Sequence, residues 1–383
     1  MSALPDTLGY VRPALKPGLL SVWRDRDTLQ IGIDSRRAVA LTGMAGAGSV
    51  IRLLDGSRDR SQVIRAAVDQ GIPPEVVERV LALLAASGAL DDFPAGTLRL
   101  LSAPQRARLG AELATASLAN GDGDGGARTL ARRVAALVRV YGGGRVADGI
   151  AGLLVAAGVG RVLPEDGTAR AVDPAGKTEP AKTEPAKTEP AKTEPARTER
   201  ARRQRARTEP AKTERKAPGT ARPARKAAAA RAGSAPGPGS RPDLAIVVGR
   251  HPLELRAGLM RAQIPHLAAS ADEAIGIVGP FVIPGRTACL TCLDLTRAHR
   301  DPAWPLILAQ LAGRHPDPPA CDAPLAAAVS AQAAAQALAF VDRDAVPGPV
   351  ADGTLELVLP GWQWRRRTWP RHNDCSCGSY TYR

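Results

Sequence analysis

Aromatic side chains are scarce in this chain: Trp, Tyr and Phe together make up 3% of its 383 residues. A core without large rings has to be filled by alanine, leucine and valine, and the hydrophobic content of 44% supplies them in ordinary globular proportion. Cysteine is sparse as well, with five in all. An odd number of thiols, in a chain without a charged-then-apolar N-terminal stretch, fits reduced cysteines and a metal better than a disulfide framework. It points to the cytoplasm. No run of about 18 to 20 apolar residues, the length that crosses a bilayer, stands out, so no membrane partner is expected. Acidic residues are in deficit, 38 against 52 Lys and Arg. That imbalance would suit nucleic acid, and its distribution decides the matter.

Most of the surplus lies in one segment. Between Lys177 and Arg231 there are 17 Lys and Arg against 7 Asp and Glu, which leaves a surplus of only four for the rest of the chain. This segment opens on a pentapeptide repeat, KTEPA, that decays into RTERARRQRARTEPAKTERK and then AGSAPGPGS. Large apolar residues are almost missing from it, and a proline every five residues interrupts any helix. Nothing in it offsets the entropy of ordering, so residues 173–240 are expected to be a disordered, solvated insertion. No aromatics are interleaved to stack bases, which argues against nucleic acid as its ligand.

Before this insertion, two textures follow one another. Residues 19–34 alternate as a strand, a charged turn at Arg24 to Asp27 and a returning strand. Three helix-like stretches come next, the second with Ser57 or Asp59 placed to cap it, the third opening on Pro73 and Pro74 and ended by Gly88. A hairpin and three short helices over residues 1–100 are the composition of a small winged-helix module. The third helix carries Glu75, Glu78 and one cation, Arg79, a poor set for phosphate. Its apolar spacing, Val76, Val77, Val80, Leu81, Leu83 and Leu84, is that of core packing. A hairpin with an exposed edge can instead bind peptide by strand addition, which leaves no mark in the sequence.

The second texture starts in residues 101–172. A β-rich run, Ala136 to Tyr141, meets three glycines, Gly142 to Gly144, and a helix of Ala, Leu and Gly leads to a second apolar run that reaches Asp166. Strand, glycine turn, helix, strand and terminal acid are the order of a dinucleotide-type βαβ unit. Gly142 would make the tight turn, Gly144 would let the backbone approach a phosphate, Ala147 would take the packing position, and Asp166 would accept ribose hydroxyls.

The other chemistry-bearing groups lie in residues 241–383. Cys289 and Cys292 in RTACLTCLD and Cys375 and Cys377 in NDCSCGS make two close pairs, a complete thiolate set for a closed, structural zinc site. The second pair is a tight C-x-C, so His372 or Asp374 is a candidate to replace one thiol. Cys321 precedes a helix start and reads as a small buried cysteine or a catalytic thiol. Trp362, Trp364 and Trp369, among Arg365 to Arg367, alternate as a half-buried antiparallel pair of strands would. Arg250 and His251, after the strand Leu244 to Val248, are either solvated or in contact with a ligand at the strand end.

Taken with the sequence AGVGRV after the glycine-turn helix, the two cysteine pairs and the block VGPFVIPGRTACLTCLDLTRAHRDPAWPLILAQL, the chain resembles the ThiF/MoeB superfamily of ubiquitin-activating-enzyme-like adenylyltransferases. Within it, the block is similar to an actinobacterial branch of leader-peptide-binding, cyclodehydratase-like proteins from azole-forming peptide pathways. The resemblance implies an α/β, Rossmann-like ThiF-type fold with a zinc-binding C-terminal part, preceded by the winged-helix module. It also implies a peptide or leader-peptide ligand, a cyclodehydratase-type partner enzyme and a homodimer. One departure bears on activity: where adenylating members place a magnesium acid after the fourth strand, this chain has Gly249, Arg250, His251 and Pro252. The expectation is therefore a scaffold that holds structural zinc, binds peptide and has lost adenylation. Two alternatives stand beside it: an active ATP-dependent adenylyltransferase, and a basic nucleic-acid-binding regulator.

Overall fold

The structure is a computed structural model that describes residues 11–92, 101–164, 170–171, 241–250, 252–311, 319–343, 345 and 348–379. The KTEPA repeat and the rest of residues 173–240, together with Asp166 and His251, lie outside the described residues.

The N-terminal part is built on two small sheets. Strand β1 (Pro13–Leu15) pairs antiparallel with β5 (Leu90–Asp92), and β2 (Ser21–Trp23), β3 (Thr28–Ile31) and β4 (Val39–Thr42) form a three-stranded antiparallel sheet in that order. The charged turn closes as its sequence suggests, with Arg24 N–H donating to the Thr28 carbonyl at 3.0 Å. The third strand escaped the sequence reading because it is four residues long, with Ala40 and Thr42 facing water and only Leu41 fully buried beside the partly buried Val39. Three helices follow, α1 (Ala47–Leu53), α2 (Arg60–Val68) and α3 (Pro74–Ala86). Asp59 and Gln62 cap α2 reciprocally in a capping box. At the far end of α3, Gly88 sits at φ 69°, and the amides of Gly88 and Ala89 donate to the Ala85 and Leu84 carbonyls, a Schellman ending. Val77, Val80, Leu81 and Leu84 bury one stripe of α3 against Leu29, Ile31, Leu41, Val63 and Ala67. Leu83, expected in the core, is exposed.

The larger part begins with α4 (Ala103–Arg108), α5 (Gly110–Asn120) and α6 (Ala127–Ala135). It continues through β6 (Leu137–Tyr141), α7 (Gly144–Ala156), β7 (Arg161–Pro164), β8 (Arg170–Ala171), β9 (Leu244–Val248), α8 (Leu253–Arg261), β10 (His266–Asp272) and β11 (Ile275–Val282). Helices α9 (Leu290–Arg300), α10 (Trp304–Leu311) and α11 (Ala323–Arg343) and strands β12 (Gly353–Val358) and β13 (Trp364–Thr368) complete it. One eight-stranded sheet runs in the order β13-β12-β11-β10-β9-β6-β7-β8. Its centre, β10-β9-β6-β7, is parallel and its flanks are antiparallel, a mixed Rossmann-like arrangement. Strand β9, LAIVV, is buried at all five positions, as a central strand covered on both faces must be.

Small residues let the covering helices come close. A Cβ on Gly149 of α7 would stand 2.5 Å from Ser330 Oγ of α11, and that hydroxyl donates to the Val146 carbonyl at 3.0 Å. The alanine-rich α11 is, by length and composition, apolar enough to cross a membrane, which corrects the expectation that no such run exists. Half of its apolar window is buried, and Leu325, Val329, Ala333, Ala337 and Phe340 lie in the main core. The two parts of the fold meet through a buried ion pair. Lys16 Nζ, 3% exposed, lies 2.6 Å from Asp91 Oδ1 and donates to the Ser117 carbonyl and hydroxyl on α5, each at 2.8 Å.

Candidate functional site

The chain leaves β6 and returns to the sheet on opposite sides of it, as β7 and as β9, so the carboxyl ends of β6 and β9 diverge into a crevice. A cleft of about 1600 Å³ opens there. The glycine turn forms one wall: Gly142 and Gly144 hold φ angles of 99° and 81°, which side chains with a Cβ resist, and Gly143 caps α7 without a side chain. The first amides of α7 thus reach the cleft unscreened, a backbone cradle for an anion. Ala147 is buried where the βαβ pattern needs a small packing residue.

Charged side chains enter this cleft from four separate segments, which is why sequence reading found Arg250 alone among them. Arg145, Arg250 and Arg256 line it, with Glu254, Asp272 and Asp322. All three arginines already have partners: Arg145 Nη1 donates to the Cys321 carbonyl at 3.4 Å, Arg256 Nη1 to Asp294 at 2.8 Å, and Arg250 stands 4.0 Å from Glu273. Asp322 accepts from the Leu325 amide at 2.9 Å and so caps α11. Cys321, read from sequence as buried, is half-buried on the cleft wall. Burial, with Asp272 and Asp322 beside it, pushes its thiol above the ordinary value, the wrong direction for an activated nucleophile. The remaining walls are apolar, from Leu253, Leu308, Leu311, Leu325 and Leu359.

The four paired cysteines come together. Cys289 caps α9, Cys292 lies in its first turn, and Cys375 and Cys377 enter from the C-terminal segment, Cys377 in a tight 3-10 turn, Ser376–Ser379. All four sulfurs lie within 4.8 Å of one another. The Sγ separations of 3.8 Å for Cys289 and Cys292, 3.6 Å for Cys289 and Cys375 and 3.4 Å for Cys292 and Cys377 approach the ~3.8 Å edge of a tetrahedron with metal–sulfur bonds of about 2.3 Å. The donor set fits a metal ion such as zinc and leaves no open position. Neither His372 nor Asp374, the candidates to replace a thiol, belongs to this cluster of close donor atoms; the His372 Nδ1 accepts from the Asp374 amide at 3.2 Å. The C-terminal segment is tied down further by Arg371 Nη1 donating to the Gly285 carbonyl at 3.3 Å, and the Cys289 side of the site by the Ala288 amide donating to Asp352 at 2.6 Å.

A third feature lies in the N-terminal sheet. Its register alternates the ladder so that Val22 exchanges bonds with Gln30, while the amides and carbonyls of Ser21 and Trp23 face outward from β2. On the opposite edge, Ala40 and Thr42 of β4 do the same, beside α3. Strand β2 and the residue before it expose apolar side chains, with Leu20 57%, Val22 40% and Trp23 59% accessible.

No family model and no curated protein matches the chain. Solved structures do. E. coli MccB in complex with MccA is 13% identical, covering 96% of this chain and 99% of that one, with a TM-score of 0.54. The E. coli MccB structure with ATP is 13% identical over 96% of this chain and all of that one, with a TM-score of 0.53. The heterocyclase TruD is 15% identical over 96% of this chain, with a TM-score of 0.57, and the chain spans 43% of its length. At such identities the likeness is one of fold.

Proposed function

We propose that this chain is a ThiF-like scaffold of ribosomal peptide modification that captures a peptide, a leader peptide above all, and presents it to a partner enzyme of the cyclodehydratase type without adenylating it. The observation that carries the reading is the N-terminal sheet. Among the described residues, a small three-stranded sheet keeps both outer edges open and exposes Leu20, Val22 and Trp23. Soluble proteins usually protect such edges with charge or cover. An extended peptide supplies the missing ladder bonds and lies beside Leu20 and Val22 on one face and Trp23 on the other. On this reading residues 1–100 are a winged-helix peptide-recognition module, residues 101–172 and 241–383 are the two parts of the ThiF-like domain, and residues 173–240 are an inserted spacer. Likeness of fold to MccB, solved with MccA, and to a heterocyclase supports the setting.

The cleft supports recognition over catalysis. Gly142 and Gly144 preserve a backbone cradle, yet Arg256 is held by Asp294 at 2.8 Å, and Glu254, Asp272 and Asp322 line the same cleft. Magnesium-ATP fits this charged set poorly, so no step is assigned to it. Zinc fits Cys289, Cys292, Cys375 and Cys377, where it would fasten the C-terminal segment to α9 and supply no chemistry.

Two substitutions test the capture. Peptides are selected from a displayed random library on the immobilised full chain and then titrated against variants. Ser21→Pro and Thr42→Pro each delete one outward-facing amide without touching an inner ladder bond. One of them should weaken binding about ten-fold or more while both retain the parental unfolding temperature. Equal binding by both variants would refute strand addition.

Asp272 favours a second reading, that of an active adenylyltransferase. It lines the cleft and has no hydrogen-bond or ion-pair partner among the described residues, and could hold magnesium if ATP enters. Calorimetric titration with no heat at millimolar ATP and magnesium would remove this option.

A further inference from the structure

The exposed edge of the eight-stranded sheet carries a pattern of its own. Among the described residues, strand β13, Trp364–Thr368, is an end strand of the sheet order, pairs only with β12, and reads WRRRT. The ladder alternates around the Trp369 amide, which donates to the Asp352 carbonyl at 2.8 Å, so Arg365 and Arg367 bond inward to β12. The amides and carbonyls of Trp364, Arg366 and Thr368 face outward, with no further strand among the described residues to receive them.

The side chains sort by face. Arg366 is occupied: it donates to the Pro349 and Ala351 carbonyls at 3.0 and 2.8 Å and to the Thr368 hydroxyl at 2.8 Å. Arg365 and Arg367 project from the other face. Arg367, 48% exposed, reaches Glu356 only at 4.0 Å and stacks on the Trp369 ring at 4.4 Å. Arg365 is exposed and has no hydrogen-bond or ion-pair partner among the described residues. Arg297 stacks on the same Trp369 ring at 5.1 Å, with Asp294 3.7 Å away. The outcome is an open ladder flanked by two guanidiniums, Arg365 and Arg367, the second held in place by an indole.

We infer that β13 docks an extended acidic segment of a partner protein as an added strand. Charge selects the occupant. A second copy pairing edge to edge would bring its own arginines against Arg365 and Arg367, a like-charge contact that disfavours self-association. A strand with Glu or Asp at alternate positions would place carboxylates over these guanidiniums while its backbone completes the outward ladder. This surface is argued from β13 alone and stands or falls separately from peptide capture in the N-terminal sheet.

The test uses the full chain and a fluorescein-labelled peptide of alternating Glu and Val, followed by anisotropy. The peptide should bind saturably, its lysine counterpart should not, and affinity should fall as salt rises. Arg365→Glu with Arg367→Glu should weaken binding about ten-fold or more, Arg365→Lys with Arg367→Lys should keep most of it, and Thr368→Pro should weaken it by removing an outward amide. Unchanged binding in the double glutamate variant, as capture by the basic repeat would give, overturns the inference. So does a dimer, seen by sedimentation without peptide, that the same variant dissociates.

Discussion

At the scale of single residues, the side chains that bear chemistry were unevenly legible. The cysteines were readable because a C-x-x-C spacing itself fixes two thiols on one turn. Arg145, Arg256, Asp272 and Asp322 were not, because they meet only after four segments converge on the crevice. His266 left no mark either. It is fully buried in β10, its Nδ1 lies 3.0 Å from the Ile264 carbonyl, and burial, with Arg256 nearby, pulls its pKa down to about 4. The unfolded chain then binds a proton between pH 6.5 and 4 that the folded chain refuses, so stability is lost as pH falls through that window. The loss attributable to His266 approaches about 3 kcal/mol at its lower end. Urea unfolding of wild type and His266→Gln at pH 7 and 4.5 measures it: the wild type should lose more stability, whereas parallel losses would remove His266 as the cause. Gly149→Ala offers a second check. The new Cβ meets Ser330 Oγ at 2.5 Å and should cost about 1 to 3 kcal/mol, and a neutral result in the same assay would mean that α7 and α11 pack less closely.

Elements were legible where local chemistry punctuates them. Asp59, Pro74 and Gly88 bound their helices where capping rules place them. Strand β4 was missed because four residues with one buried side chain give no period. Pairing was the deeper gap: nothing in SVW or WRRRT says that these strands end a sheet, since an edge is defined by a neighbour that is not there. The C-terminal segment shows the opposite case, an element held by its ligands rather than by propensity. With zinc bound, amides of residues 371–379 should resist hydrogen exchange. Chelation should speed their exchange and that of residues 285–293 while leaving β6 and β9 protected. Uniform acceleration across the sheet would show the metal to be global rather than local in effect.

For the whole molecule, the strand–glycine–helix order foretold a Rossmann-like sheet because the βαβ unit is local in sequence. The antiparallel flanks and the contact between the N-terminal part and the body depend on distant pairings and could not be read. Lys16, Asp91 and Ser117 make that contact in a buried site where removing one partner strands a charge. Lys16→Met should lower stability by about 3 kcal/mol or more and split thermal unfolding into two transitions. A single unshifted transition would mean that the pair couples nothing. On the proposed reading, the molecule as a unit recognises a peptide without activating it. Pyrophosphate exchange into ATP, measured on the zinc-loaded full chain saturated with a peptide that it captures, tests this most directly. No exchange above background while the peptide remains bound is the predicted result, and exchange that depends on the free carboxylate of that peptide would contradict it.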